Sequence, residues 1–391
     1  MANRDFPMLK QIRKALAPIV DGPVLRWWSL RQARKADAAF LRVLCQERDR
    51  APQPLAGPPQ ANKIPSGSPL RTILFIGDCM WEQNALFPEL HKICGLQFLD
   101  LHPALTQKPH ARPAETVAKN IEAFIRASTS LEPDAILFYA RPQLLSEVAF
   151  DLIRRRWKCP LLGMNLDDRV EFFGYGVYST TAEPYGPWVT KFDVNLTNTR
   201  AALDWYRQRG ASVRYFPAGF RLDEAYQSPP AEPEYDYPFS FLGTWKSERA
   251  VIVERLLQAG VKIALFGKGW PNSQWVESAS RVFRRSQINL GIGFASPSAR
   301  ITTAKGRDLE CPGVGACYLT TYNGELPFLY EIGKEILCYR DFEELLEMHA
   351  YYSKRPDECL RIAQAAHRRC AAEHTWEKRF RQLFRELGFH A

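Results

Sequence analysis

Residues 307–339 read RDLECPGVGACYLTTYNGELPFLYEIGKEILCY. The run parses as an acid at a helix end, a Gly-rich turn, a buried strand, a second turn, a short helix, a glycine and another short strand. Glu310 stands just before Gly313 and Gly315, and residues 316–321 (ACYLTT) are apolar and β-prone. A helix that passes through a glycine turn into an apolar strand belongs to a parallel sheet covered by helices. A carboxylate at such a junction has a natural partner in a vicinal diol, because its two oxygens accept two hydroxyl hydrogen bonds. The ribose of a nucleotide presents such a diol.

The same rhythm runs outward on both sides. Apolar strands at 72–76, 96–99, 135–139, 160–164, 194–197 and 213–216 are separated by helical stretches at 82–93, 114–129, 143–156 and 199–208. Residues 227–238, rich in Pro, Glu and Tyr, read as a crossing between domains. Strands at 239–242, 262–266, 287–292, 317–321 and 336–339 follow, with helices at 246–259, 275–284, 302–310 and 325–332, and three helices at 341–353, 356–372 and 374–387 end the chain. This predicts an α/β protein of two doubly wound, Rossmann-like domains, 70–226 and 227–391, facing across a cleft. Ligands in such sheets bind outside the carboxyl ends of the strands. Ahead of them stand a basic helical extension at 1–50 and a Pro/Gly/Ser-rich linker at 51–69.

The 391 residues are 46% hydrophobic and 12% aromatic, enough for sizeable cores, and carry a formal charge of +9. Residues 1–50 hold 11 Lys/Arg against 5 Asp/Glu, so most of the excess sits in the extension and favours anionic partners. Its basic face (Lys10, Arg13, Lys14, Arg26, Arg31, Arg34, Lys35) suits either a helical hairpin packed on the body or an interfacial helix on anionic lipid. Nine Cys without a Cys-x-x-Cys pair point to a reducing compartment. With no apolar leader and no membrane-length apolar run, the expected location is cytoplasmic, with peripheral attachment to the inner face of a membrane as the extension's other outcome.

Chemistry-bearing residues gather at predicted strand ends. Strand 239–242 runs into Gly243-Thr244-Trp245-Lys246 and a helix, where backbone approaches a ligand closely and a phosphate meets the helix N-terminus. Lys246 and Arg249 suit a diphosphate. The next strand ends in Gly267-Lys268-Gly269-Trp270, a loop along which a base can lie. Both segments also suit ordinary turns, the second with a packed Trp. Lys305 and Arg307, with Glu310, sit on the predicted helix at 302–310, able to stabilise charge on a leaving diphosphate or to form a solvated basic face. In the first domain, Gly77-Asp78 ends the first strand, Glu82 follows one turn on, and strand 160–164 runs into Asn165-Leu166-Asp167-Asp168-Arg169. Asp78, Asp167 and Asp168 are candidates to deprotonate an acceptor hydroxyl; the Asp pair equally suits helix capping or pairing with Arg169. No His/Cys cluster suggests a metal, and none is expected.

The string GRDLECPGVGACYLTTYNGEL, with GKEILCYRDFEELLE and EHTWEKRF after it and FLGTW, FGKGW and RSQINLGI before it, resembles the CgeB-like (spore maturation protein B type) glycosyltransferases over about residues 239–384. The resemblance implies a GT-B fold, a nucleoside-diphosphate-sugar donor in the second domain and no further cofactor. Retaining GT-B enzymes have a glutamate, seven residues, then a second glutamate that holds the donor ribose. Glu310 matches the second; the first falls on Thr302, which is no carboxylate, so its role does not carry over. The expected reaction is sugar transfer to a glycan, lipid-linked or cell-surface polysaccharide acceptor. A nucleotide-sugar epimerase or hydrolase on the same fold, and a non-catalytic glycan- or nucleic-acid-binding protein, are the rivals. Glu310 and the two glycine loops speak against the last, and no nucleic-acid partner is expected.

Overall fold

The computed structural model describes residues 67–80, 82–106, 113–174, 184–232, 234–270, 273, 276, 278–295 and 301–390. The helical reading of 1–50, nearly all of the linker and Arg300 lie outside the described residues.

The first domain is a six-stranded parallel sheet. Its strands are β1 (Thr72–Gly77), β2 (Gly95–Asp100), β3 (Ala135–Tyr139), β4 (Leu161–Asn165), β5 (Val194–Thr197) and β6 (Val213–Tyr215), in the order β2-β1-β3-β4-β5-β6. β3 and β4 are buried at every residue, as expected when helices cover both faces. One face packs under helices α1 (Pro113–Ala127) and α2 (Glu147–Arg156) through Phe138, Phe150 and Phe192. Gly163 lies beneath the Phe192 ring, where a Cβ would stand 2.7 Å from it.

The second domain is a five-stranded parallel sheet, β7 (Tyr237–Leu242), β8 (Ala264–Phe266), β9 (Ser286–Gly291), β10 (Tyr318–Thr321) and β11 (Leu337–Tyr339), ordered β11-β10-β9-β7-β8. Helices α3 (Ser247–Gln258), α4 (Arg307–Gly313), α5 (Pro356–Glu373) and α6 (Trp376–Glu386) follow in the chain. The periodic apolar residues of α6 do not serve this sheet. Trp376, Phe380, Leu383 and Phe384 join Ile73, Phe75 and Leu137 in the core of the first domain, each such side chain contributing about 1.5–3 kcal/mol. The return is stitched by backbone: Phe220 N–H donates to His374 O at 3.2 Å and Trp376 N–H to Phe220 O at 3.1 Å. Gly219 allows it, since a Cβ there would meet the Trp376 backbone at 2.7 Å. The last residues, Phe389–His390, then pair in parallel with Ser68–Pro69. Among the described residues no helix is long and apolar enough to cross a membrane.

Three expected helices differ. The one at 82–93 is two short pieces, Glu82–Ala85 and Phe87–His91, because Pro88 begins a second helix. The one at 325–332 is a single 3₁₀ turn, Leu326–Phe328. The one at 302–310 starts only at Arg307: Thr302 instead bridges Phe294 in an antiparallel pair. The Asp308 carboxylate accepts the Lys305 N–H at 2.8 Å, which turns the chain into the helix. Pro312 inside α4 removes the N–H that would have bonded Asp308 O, and the Tyr330 hydroxyl donates to that carbonyl at 2.7 Å in its place. Of the residues expected on that helix, Lys305 therefore precedes it, while Arg307 and Glu310 lie on α4.

Candidate functional site

The carboxyl ends of both sheets carry the polar groups. In the second domain, the turns after β7 and β8 lie against each other. Gly243 N–H donates to Phe266 O at 2.9 Å, Trp245 N–H to Lys268 O at 2.8 Å, and the Trp270 indole to Gly243 O at 2.6 Å. Gly267 has φ +109° and a Cβ there would stand 2.7 Å from Gly243 O, so only glycine fits both needs. Trp270 is thus a buried strut under the loop rather than a platform for a base, while Lys268 stays exposed. Trp245 is half-buried on the core of this domain.

Four cations converge beside these turns. Lys246 precedes α3, Arg249 lies one turn in and donates to Thr244 O at 2.8 Å, Lys305 precedes α4, and Arg307 begins it. Burial lowers the pKa of both Lys246 and Lys305, and Arg249 adds to the lowering at each. Asp167, at the end of β4 in the first domain, opposes it at both lysines. The two domains therefore meet electrostatically here, a carboxylate of one facing the cations of the other. Glu310 lies within α4, its N–H bonded to Gly306 O at 2.9 Å, not at the helix end. Water reaches its side chain, yet protein walls it closely enough that burial raises its carboxyl, with Arg307 working the other way. This is the environment of a cleft-lining group.

In the first domain Asp78 is 3% exposed and both its oxygens are engaged. Oδ1 meets His102 Nδ1 at 2.9 Å and Oδ2 meets Arg141 at 3.1 Å. Asp100 Oδ1 accepts from Cys79 N–H at 3.1 Å and His102 N–H at 2.8 Å, locking the loops after β1 and β2 together. The His102 side chain is 34% exposed, so the histidine, not the aspartate, is the member of the pair that solvent reaches. Glu82 is fully buried, neither oxygen has a hydrogen-bond partner, and burial pushes its carboxyl up to about 7.

Asp168 stands elsewhere. It is fully buried in the first domain, accepts from the Tyr206 hydroxyl at 2.8 Å, and burial pushes it up to about 7. It lines no surface that an acceptor reaches, which removes it as the expected proton acceptor; its neighbour Asp167 is the half-exposed member of the pair. His102 and Arg141 were not singled out from sequence. Their signal was positional: each stands just past a strand adjacent to β1, and parallel neighbours bring such residues to the same edge.

Residues 249–385 match the family described as Glycosyl transferase-like. No curated protein matches the sequence. Among solved structures the chain is similar to sucrose-phosphate synthase from Thermosynechococcus elongatus (15% identity, TM-score 0.59), to Anabaena HepE in complex with UDP-glucose (12%, 0.57) and to a glycosyltransferase from Rickettsia africae (12%, 0.52). Each likeness covers 81% of this chain, and 99%, 99% and 97% of the other. At these identities the likeness shows fold. The chain has the GT-B fold, and its second domain carries a glycosyl transferase-like segment at 249–385.

Proposed function

We propose that the protein is a glycosyltransferase of the CgeB-like type. It transfers a sugar from a nucleoside-diphosphate sugar held by the second domain to a glycan or lipid-linked acceptor held by the first. The observation that carries this reading is the convergence of Lys246, Arg249, Lys305 and Arg307 at the carboxyl ends of one sheet, facing Asp167 of the other. Cations whose charge is disfavoured by burial gain most when a diphosphate arrives, and they answer the charge that develops as it leaves. In this reading that charge is met by protein groups, without a metal.

Glu310 takes the ribose diol. On the facing side the Asp78–His102 pair accepts the proton of the acceptor hydroxyl: Asp78 fixes the ring through Nδ1, and His102 Nε2 is the accepting atom. Closing the cleft keeps water from hydrolysing the donor. Residues 1–50 bring the enzyme to an anionic membrane surface on the cytoplasmic side.

A thermal-shift screen of nucleoside diphosphates and their sugars tests the donor assignment, with UDP and UDP-glucose first because the HepE structure contains UDP-glucose. A ligand at 100 times its dissociation constant stabilises by about 2.7 kcal/mol. Absence of any shift across the nucleotides defeats the reading. Glu310→Gln then weakens the hit by about 1.5–3 kcal/mol in calorimetry.

A further inference from the structure

The β5–β6 end of the cleft, away from Asp78, holds a second polar cluster. Arg169 follows β4, Arg200 follows β5, Tyr215 ends β6, and Asn323 and Glu325 follow β10 across the cleft. One hydrogen bond joins the domains here, Arg200 N–H to Glu325 Oε1 at 2.9 Å. The Arg200 guanidinium is held by rings, 3.9 Å over Phe328 and 5.0 Å over Tyr215. Arg379, bonded to His374 Nδ1 at 2.8 Å, acts on Tyr215 from α6.

The cluster is rich in donors and poor in acceptors. Arg169 Nε, Arg379 Nε and Asn323 Nδ2 are all buried without a hydrogen-bond partner, beside the Tyr215 hydroxyl, which can donate or accept, and one carboxylate oxygen, Glu325 Oε2. Buried polar atoms left this way mark a missing partner. The guanidiniums of Arg169 and Arg200 both act on the Glu325 carboxylate, and burial raises its carboxyl, which weakens its answer to them. A neutral water satisfies donors but not this charge; an oxyanion does both, and the planar Arg fork suits it. The cluster gathers on Glu325, beyond β10, whereas the cations of the proposed diphosphate cradle stand after β7 and at the start of α4.

We propose that the Arg169–Arg200–Asn323 pocket binds a carboxylate or phosphate carried by one of the two sugars that meet in the cleft. The proposal rests on the transferase reading above and narrows it to an acidic substrate.

Inorganic phosphate titrated calorimetrically into protein saturated with its nucleoside diphosphate tests it, at fixed ionic strength. The expected result is saturable phosphate binding that weakens at least tenfold in Arg169→Gln and in Arg200→Gln, with nucleotide affinity unchanged within twofold. No saturable binding to the wild type, or equal binding in both variants, overturns it. If Arg169→Gln fails to fold, Arg169→Lys, which keeps the charge but loses the fork, takes its place with the same tenfold criterion. A nucleoside-diphosphate uronate compared with the matching glucose donor separates the sources. A tenfold preference for the uronate, abolished in Arg169→Gln, puts the anion on the donor sugar; no preference alongside phosphate binding puts it on the acceptor. If no nucleotide binds, the transferase reading fails, and phosphate titrated into the nucleotide-free protein and the two variants decides the pocket alone.

Discussion

Arg307 reaches back from the start of α4 and donates through Nη1 to Leu242 O at 2.9 Å, occupying the space that a Cβ on Gly243 would need. One residue without a side chain thus lets a cation of the proposed diphosphate cradle lie against the end of β7. Its guanidinium also stands 5.5 Å from the Phe241 ring centroid, within reach of a cation–π attraction. Gly243→Ala should push Arg307 out of the cradle. We expect nucleoside-diphosphate affinity to fall about tenfold, roughly 1.4 kcal/mol, while the melting temperature moves little. Calorimetry beside a thermal melt checks it; unchanged affinity in the folded variant would show that Arg307 does not touch the ligand.

Burial lowers the pKa of Lys305, and it must be charged to meet a diphosphate. Its ammonium therefore loses its proton at lower pH than an ordinary lysine, so nucleotide affinity should decline as pH rises through the alkaline range. Lys305→Met should remove part of that decline. It should also narrow the gap between nucleoside-diphosphate and plain nucleoside affinity, because only the phosphates feel the charge. A wild-type affinity flat from neutral to alkaline pH is the contrary result.

Much of this arrangement was legible in the sequence. The strands of the two large sheets follow from apolar runs, which at β1, β2, β7, β8 and β9 are ended by Gly or Asp, and buried parallel strands such as β3 and β4 leave the apolar signal unbroken. The residues of the proposed donor side were legible as strand-end residues because glycines that must adopt positive φ or admit close contacts, such as Gly267, mark strand ends. The start of α4 was not. The 302–306 segment, Thr-Thr-Ala-Lys-Gly, runs directly into the helix, but Thr302 pairs with Phe294 and the Asp308 side chain sets a later start. The roles of Asp167 and Asp168 could not be divided in sequence either. Adjacent residues differ only in where the chain turns, and that turn buries one beside Tyr206 and leaves the other toward the cations. The Asp78–His102 contact joins positions 24 residues apart, which only the sheet order brings together.

Glu82 offers a test of the acceptor side that needs no substrate. Its folded carboxyl titrates at about 7 against an ordinary 4.5, chiefly through burial. Between those values the folded protein holds a proton that the unfolded chain has released, so this group's contribution to stability falls as pH rises through that window. Glu82→Gln removes the fall. Asp168 and Glu171, raised by burial to about 7 and about 8, act in the same direction but are common to both proteins. The variant should therefore gain on the wild type between pH 5 and pH 8 by up to about 3 kcal/mol. Urea unfolding at the two pH values measures it, and an equal difference at both would mean that Glu82 is ionised in the fold.

The last expectation separates Asp78 from Asp168, two of the three aspartates named from sequence. In the proposed mechanism Asp78 acts on the acceptor only through His102, to which it is bonded, whereas Asp168 faces Tyr206 inside the domain. His102→Gln keeps a group able to hydrogen-bond Asp78 but cannot take a proton, so turnover should drop about 10²–10⁴-fold with donor affinity intact. Asp78→Asn should follow it more mildly, because the amide keeps the ring in place while the negative charge that steadies the imidazolium formed during proton transfer is lost. Asp168→Asn should leave turnover within a few-fold, since a buried carboxyl near its neutral form is replaced by a group of the same shape. Single-turnover rates for the three variants, with donor binding measured separately, decide the matter. If Asp168→Asn were the variant that lost the rate, the proton would have to leave the acceptor by a route through the Tyr206 side of the domain, and His102 would be no more than a packed loop residue.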